Sequence, residues 1–211
     1  LLLNTNREVE MRDAKAAISD SYPLDRCMGF VDMVAYTRRS STMSGAALAD
    51  LVQSFEMACR DVITTRGGRV VKTLGDAVLF VADDLLVAAD IVCAMVDFLN
   101  SRPEILPVRA SLVHGRVVSR SGDIFGPPVN LASRLVDIAP RGQILMDATS
   151  AKQLRELDRE GLFTVKQAET ADLQGLGEVE AWQLTRGKTD GASKPLIRRT
   201  ILEILPTVAK E

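Results

Sequence analysis

The sequence predicts an α+β fold. It is a ferredoxin-like, palm-type antiparallel sheet with helices on one face and βαβ-type additions on its C-terminal side. Three observations predict it. Short β-branched runs and three- to four-residue apolar periods follow one another in the order β-α-β-β-α-β up to residue 120. The two middle strands are separated by only Leu74-Gly75-Asp76, a Gly-containing hairpin break. Finally, 211 residues with 46% hydrophobic and 26% charged content suit one domain with extensions and a full core.

The elements run as follows. Residues 6–20 favour a lead-in helix with a thin apolar stripe of Val9, Ala16 and Ile18, ended by Tyr22-Pro23. It reads either as a solvated helix or as one that carries a signal from an upstream regulatory domain. Cys27–Val31 is a buried central strand that ends in Asp32, followed by a polar stretch from Arg38 to Ser41. Gly45–Thr65 is helical by its period of Leu48, Leu51, Val52, Phe55, Cys59 and Val62, and Gly67-Gly68 stops it. A hairpin spans 69–81, and 83–99 form a second amphipathic helix before Pro103. Pro107–Val113 is a strand, His114-Gly115 a turn, Arg116–Arg120 a further strand and Ser121-Gly122 another turn.

Gly126-Pro127-Pro128 opens the next helix, since proline is tolerated in a first turn. Gln143–Met146 is a short strand, 147–157 a helix, and 162–166 and 179–184 two closing strands. Gly187–Lys194 has linker composition, and Pro195–Lys210 favours a terminal helix. The expected organisation is therefore 1–25 lead-in, 26–186 main domain, and 187–211 linker with a short helix.

Composition excludes several classes of function. A net charge of −2 and a pI near 5.6 give no basic field for nucleic acid or anionic membrane. Cys27, Cys59 and Cys93 are far apart in apolar contexts, which fits reduced buried thiols and a cytoplasmic location rather than disulfides or zinc. No apolar run reaches membrane-spanning length, so no direct membrane insertion is expected. The chain opens Leu1-Leu2-Leu3 rather than with Met, as a piece of a longer protein with an upstream or tethering segment would.

In this topology Asp32 and Asp76 meet at one edge of the sheet, although 44 positions apart in the chain. Two carboxylates at adjacent strand ends suit Mg²⁺ or Mn²⁺ shared with phosphate oxygens and water. The plain alternative for Asp76 is an ordinary turn aspartate. Asn130 and Arg134 are four apart and share a helix face, where a guanidinium can meet growing phosphorane charge and an amide can orient a sugar. Lys72 and Asp123 are a donor and an acceptor that match N1 and the 6-amino group of adenine, and guanine presents the reverse pattern. His114, the only histidine, has no partner motif and reads as structural.

The ordered set Phe30-x-Asp32, Lys72-x-x-Gly75-Asp76 and Asp123-Ile124-Phe125-Gly126-x-x-Val129-Asn130-x-Ala132-Ser133-Arg134 resembles the catalytic domain of class III nucleotide cyclases over residues 26–185. The resemblance implies an adenylyl cyclase that converts ATP to 3′,5′-cyclic AMP and diphosphate. Asp32 and Asp76 would bind two divalent ions, Lys72 and Asp123 would select adenine, and Asn130 and Arg134 would hold the ribose and stabilise the transition state. It also implies a head-to-tail homodimer, with the metal pair from one subunit and the other four residues from its partner. Met33, Val34, Ala35, Tyr36 and Thr37 would form the loop around the triphosphate. Two positions depart from the family pattern: Ala35-Tyr36 stands for Gly-Phe, and Leu173-Gln174-Gly175 stands for Leu-Lys-Gly. The competing functions are a cyclase-like pseudoenzyme that binds nucleotide or a partner, and a ferredoxin-like interaction module.

Overall fold

The computed structural model describes residues 23–187. The expected lead-in helix 6–20 and terminal helix lie outside these residues, as does the linker beyond Gly187. In chain order the elements are β1 (Pro23–Met33), α1 (Tyr36–Ser40), α2 (Gly45–Thr65), β2 (Arg69–Thr73), β3 (Ala77–Ala82), α3 (Leu85–Asn100) and β4 (Val108–Arg120). They continue with β5 (Asp123–Phe125), α4 (Pro127–Ile138), β6 (Ile144–Asp147), α5 (Ala148–Leu157), β7 (Phe163–Leu173) and β8 (Gly177–Arg186).

One sheet runs β2-β3-β1-β4-β6-β8-β7, with β5 paired to β4. Its first four strands are the split βαβ order that the sequence predicts. The parallel pairing of β4 with β6, bridged by α4, is the expected C-terminal βαβ addition. Strand β1 is central because it is apolar on both sides. Cys27, Val31 and Met33 join the core beneath α2 and α3, and Met28 and Phe30 join the core on the other face. That second face is covered by α4, through Ala132, Leu135 and Val136, and by Ile124 of β5.

The helices start where short polar side chains satisfy free amides. Ser44 accepts from the Ala47 amide at 3.2 Å, Asp84 from Val87 at 2.9 Å, and Asp147 from Thr149 and Ser150 at 3.1 and 3.3 Å. Asp90, in the middle of α3, is buried yet paired: Arg66 after α2 lies at 3.2 Å and Arg186 at the end of β8 at 2.8 Å. These contacts tie three separate segments to one carboxylate, the kind of pairing a buried charge requires.

Four sequence expectations change. His114-Gly115 is not a turn: β4 pairs with β1 without interruption from Val108↔Met33 to Val118↔Pro23. The glycine answers a packing demand, since a Cβ there would sit 2.6 Å from Pro128 of α4. Residues 123–125 are strand, turned back onto β4 by Ser121 and Gly122 at φ 53° and 80°. The closing strands are longer than 162–166 and 179–184, because β7 and β8 form a hairpin that extends beyond the sheet's core. The polar stretch after Asp32 contains a short helix, Tyr36–Ser40. The cysteines are free and buried as expected, and burial pushes Cys27 and Cys93 each up to about 12.

Gly29 gives a direct test of this packing. An added Cβ would run into the fully buried Phe80 ring and lie 2.9 Å from the Ser111 carbonyl oxygen. Gly29→Ala should cost about 1–3 kcal/mol in denaturant unfolding. An unchanged midpoint would show that β3 and β4 do not hold β1 this tightly.

Candidate active site

Strand register decides which side chains meet. Asp32 alternates with Val31 and Met33, so it faces the α4 side of the sheet, together with Phe30. It pairs with Ala77 of β3 on one side and Arg109 of β4 on the other. The next amide, Met33, donates to the Asp76 carbonyl at 2.9 Å and fixes the hairpin tip against the end of β1. Gly75 supplies φ 74° at that tip. The two aspartates are thus brought to one end of the sheet, as the topology predicts.

Asp32 is largely buried, with its side chain 13% exposed. Burial raises its pKa above the usual carboxylate range. The hydrogen bond and charge of Arg109 oppose that rise, and the Asp76 and Asp137 carboxylates add to it. Arg109 Nε donates to Asp32 Oδ2 at 2.7 Å, which leaves Oδ1 for a cation. Among the described residues no group of three or more His, Cys, Asp or Glu could hold a metal alone. The pair therefore fits a divalent ion that takes its remaining ligands from phosphate and water, and does not fit a protein-only cage.

Lys72 reaches the same face through a β-bulge. Val70 pairs with Phe80 and Lys72 with Leu79, so Val71 is an extra residue. Val70 packs in the α2–α3 core, and simple alternation would send Lys72 there too. The extra residue turns Lys72 to the side of Leu79, which belongs to the α4-side core. There Lys72 Nζ donates to Asp123 Oδ2 at 2.8 Å. Asp123 is the first residue of β5, and its Oδ1 accepts from the Ile124 amide at 2.8 Å. The Lys72 hydrogen bond holds the Asp123 carboxyl below its usual range. Lys72 lies across β3 from β1 and two positions short of Asp32, roughly 12 Å away on strand spacings.

Asn130 and Arg134 are exposed on α4, away from its buried Ala132, Leu135 and Val136. The Asn130 side chain makes no hydrogen bond among the described residues, and the Arg134 side chain meets only Asp137, at 3.6 Å. In the segment 33–37, the Met33 and Val34 amides are given to the Asp76 and Pro107 carbonyls. Ala35 takes φ 62°, the left-handed conformation for which glycine is the easier residue. Gln174 sits in the exposed β7–β8 turn. His114 lies within β4, with Nδ1 2.7 Å from Gln153 Oε1 and its amide donating to Ser150 Oγ, a tie to α5 that fits its structural reading.

Sequence reasoning missed Arg109 and Ser111. Ser111 Oγ donates to the Ala132 carbonyl at 2.7 Å and pins α4 to the sheet. Arg109 bridges Asp32 and the Asp137 carbonyl. The signal was a two-residue alternation of polar positions inside the apolar run 108–113, which marks one face of a strand as met by something polar.

The chain thus carries a ferredoxin-like sheet with two aspartates at one end and a Lys–Asp pair on the face that bears Asp32. The chain belongs to the adenylate and guanylate cyclase catalytic domain family, whose pattern matches residues 25–186. An adenylate cyclase of Glutamicibacter nicotianae is 41% identical over 170 residues, 80% of this chain and 41% of that protein. One of Streptomyces coelicolor is 37% identical over 192 residues, 79% of this chain and 50% of that protein. The chain thus spans half or less of these relatives' length. The adenylyl cyclase CyaB from P. aeruginosa has the same fold, with a TM-score of 0.71 at 18% identity over 82% of this chain and 99% of that one. The catalytic core of a rhodopsin-guanylyl cyclase of converted specificity, solved with ATPalphaS, gives 0.70 at 20% identity, over 79% of this chain and 98% of that one.

The Lys72–Asp123 pair yields a titration. By carboxyl-carbon NMR, Asp123 should ionise below the ordinary aspartate range, and Lys72→Met should move it back up. Its stabilising contribution is present above the unfolded pKa of about 3.9 and lost as pH falls through the lower folded value. An Asp123 that titrates identically in both proteins would disprove the pairing.

Proposed function

We propose that this chain is an adenylyl cyclase domain that converts ATP to 3′,5′-cyclic AMP and diphosphate in two sites shared across a head-to-tail homodimer. The observation that carries the reading is the Lys72–Asp123 pair at 2.8 Å, on the sheet face that also bears Asp32. Lys72 donates to adenine N1, and Asp123 accepts from the 6-amino group. Until a base arrives the two satisfy one another, so neither charge is left alone at the site.

Asn130 orients the ribose and brings its 3′-hydroxyl in line with the α-phosphorus. The hydroxyl oxygen attacks, its proton passing to water, and the bond from the α-phosphorus to the oxygen shared with the β-phosphate breaks, so the nucleotide cyclises within one bound molecule and needs positioning rather than a protein nucleophile. Arg134 places its guanidinium against the charge that grows on the phosphoryl oxygens. The amides of Ala35, Tyr36 and Thr37 hold the outer phosphates, since those of Met33 and Val34 are already engaged. Two divalent ions, Mg²⁺ or Mn²⁺, held by Asp32 and Asp76 with substrate phosphates, would lower the pKa of the attacking hydroxyl and neutralise the departing diphosphate.

The shared site is supported by the outward stance of Asn130 and Arg134, which need a surface opposite α4 to act on substrate. Exposed Leu74, Phe125, Ile138 and Leu176 from four separate elements offer apolar area for a second copy. Among the described residues no helix is long and apolar enough to cross a membrane.

Purified protein incubated with Mn²⁺ and either ATP or GTP should yield cyclic AMP in strong preference to cyclic GMP, identified by mass. Equal rates would sink the base-reading role of Lys72 and Asp123. Asp32→Ala and Asp76→Ala should each lower turnover by at least about 100-fold; Asp76→Ala should nearly retain the thermal midpoint, whereas Asp32→Ala, which leaves the largely buried Arg109 without its carboxylate, should lower it. Full activity of either variant at saturating Mn²⁺ would refute the metal assignment.

A further inference from the structure

Two side chains of β2 reach across to the β4–β5 hairpin, and the proposed chemistry uses only one of them. Lys72 Nζ donates to Asp123 Oδ2 at 2.8 Å, and Arg69 Nη1 donates to the carbonyl of Gly122, the residue before, at 3.2 Å. Arg69 lies opposite Val81 and Lys72 opposite Leu79, and both of these partners belong to the α4-side core. Residues three apart on a regular strand face opposite ways. The extra residue at Val71 therefore aims Arg69 and Lys72 together at one turn.

That turn has little else to hold it. Among the described residues β5 pairs with β4 alone, from Arg120↔Asp123 to Val118↔Phe125. Ile124 is buried, but ahead of it the chain reverses through Ser121 and Gly122 in the left-handed region, a costly conformation for a serine. A Cβ added at Gly122 would meet nothing within 4 Å. A cleft of about 320 Å³ lies on this side, lined by Leu24 and Arg26 of β1, Val81 of β3, Ile124 of β5 and Arg69 itself. Directed contacts from β2, rather than close packing, therefore fix where Gly122 and Asp123 stand. A guanidinium donating to a carbonyl is a charge-assisted contact of this kind.

We propose that Arg69 is a positioning residue for base recognition: it holds the Gly122 carbonyl so that the Asp123 carboxylate stands opposite Lys72. The inference rests on the reading of Lys72 and Asp123 as the pair that meets adenine. Arg69 acts through Asp123. A carboxylate that drifts from Lys72 loses the fixed spacing of donor and acceptor that tells adenine from guanine. A site built on paired hydrogen bonds rejects the wrong base because its own polar groups are then left unmatched, and that rejection weakens when one group is free to move away.

Arg69→Met removes this strut at an exposed position, so the thermal midpoint should be nearly retained. The first readout needs neither metal nor turnover. In ligand-free protein, carboxyl-carbon NMR should find Asp123 ionising closer to the ordinary aspartate range than in the unaltered protein, though less so than in Lys72→Met. Arg26→Met removes an equal charge from the same cleft, and the contacts of Arg26 are with Asp25 and Asp83 rather than the turn. That variant should leave Asp123 nearly unchanged, which separates the strut from through-space charge.

The second readout is discrimination between bases. Arg69→Met should lower the ratio of kcat/KM for ATP over GTP by roughly 5-fold, the worth of one ordinary hydrogen bond, through a higher KM for ATP at a nearly constant kcat. A general loss of structure would not produce that split. In a Lys72→Met background the same substitution should change the ratio by less than about 2-fold, because the pair it positions is gone. An Asp123 that titrates as in the unaltered protein, an equal effect of Arg26→Met, or the full loss of discrimination in the Lys72→Met background would each overturn the proposal while leaving the base-reading pair standing. Equal rates with ATP and GTP in the unaltered protein would overturn the base-reading pair and this inference with it, and the titration would still decide whether Arg69 holds Asp123.

Discussion

The register of β1 between β3 and β4 is the constraint on which the site depends. Because Asp32 lies opposite Ala77 and Arg109, a carboxylate in an apolar strand finds a hairpin tip on one side and a guanidinium on the other. A slip of one position would turn Asp32 into the α2–α3 core and Val31 out of it. Two features hold the register. Apolar residues on both faces of β1 are buried against different layers, and Gly29 lets Phe80 and the Ser111 backbone approach more closely than any side chain would allow. The same central strand therefore builds the core and aims the chemistry.

The α4-side face shows how a largely apolar sheet accommodates charge. Each ionised group there is matched before any ligand arrives: Asp32 with Arg109, and Asp123 with Lys72. The two pairs respond differently to their surroundings. Burial dominates at Asp32 and raises its pKa, whereas the Lys72 hydrogen bond dominates at the more open Asp123 and lowers it. Under the proposed function, a nucleotide with its counter-ions would exchange existing partners for new ones and would not have to compensate bare buried charges. The cost of this arrangement falls on the backbone, at the bulge around Val71 and at left-handed Ala35.

Sequence alone determined the longer helices and the order of the first four strands of the sheet. The apolar period of α2 ends at Gly67-Gly68, and its boundaries at Gly45 and Thr65 follow from local periodicity and capping. Asp32 and Asp76 could be paired from the split βαβ topology, and Asn130 with Arg134 from helical spacing, because both inferences use regular geometry. What only the tertiary structure decided was contact between elements whose local signals are weak. Residues His114 and Gly115 looked like a turn because their strand-breaking composition is set by Pro128 of α4, a neighbour that periodicity cannot see. The bulge that turns Lys72 toward Asp123 has no local signature, since one extra residue in a strand leaves the apolar pattern readable in either register. Arg109 carried no reading in the sequence, because the last turn of a helix and a carboxylate 77 positions away in sequence become neighbours only through packing.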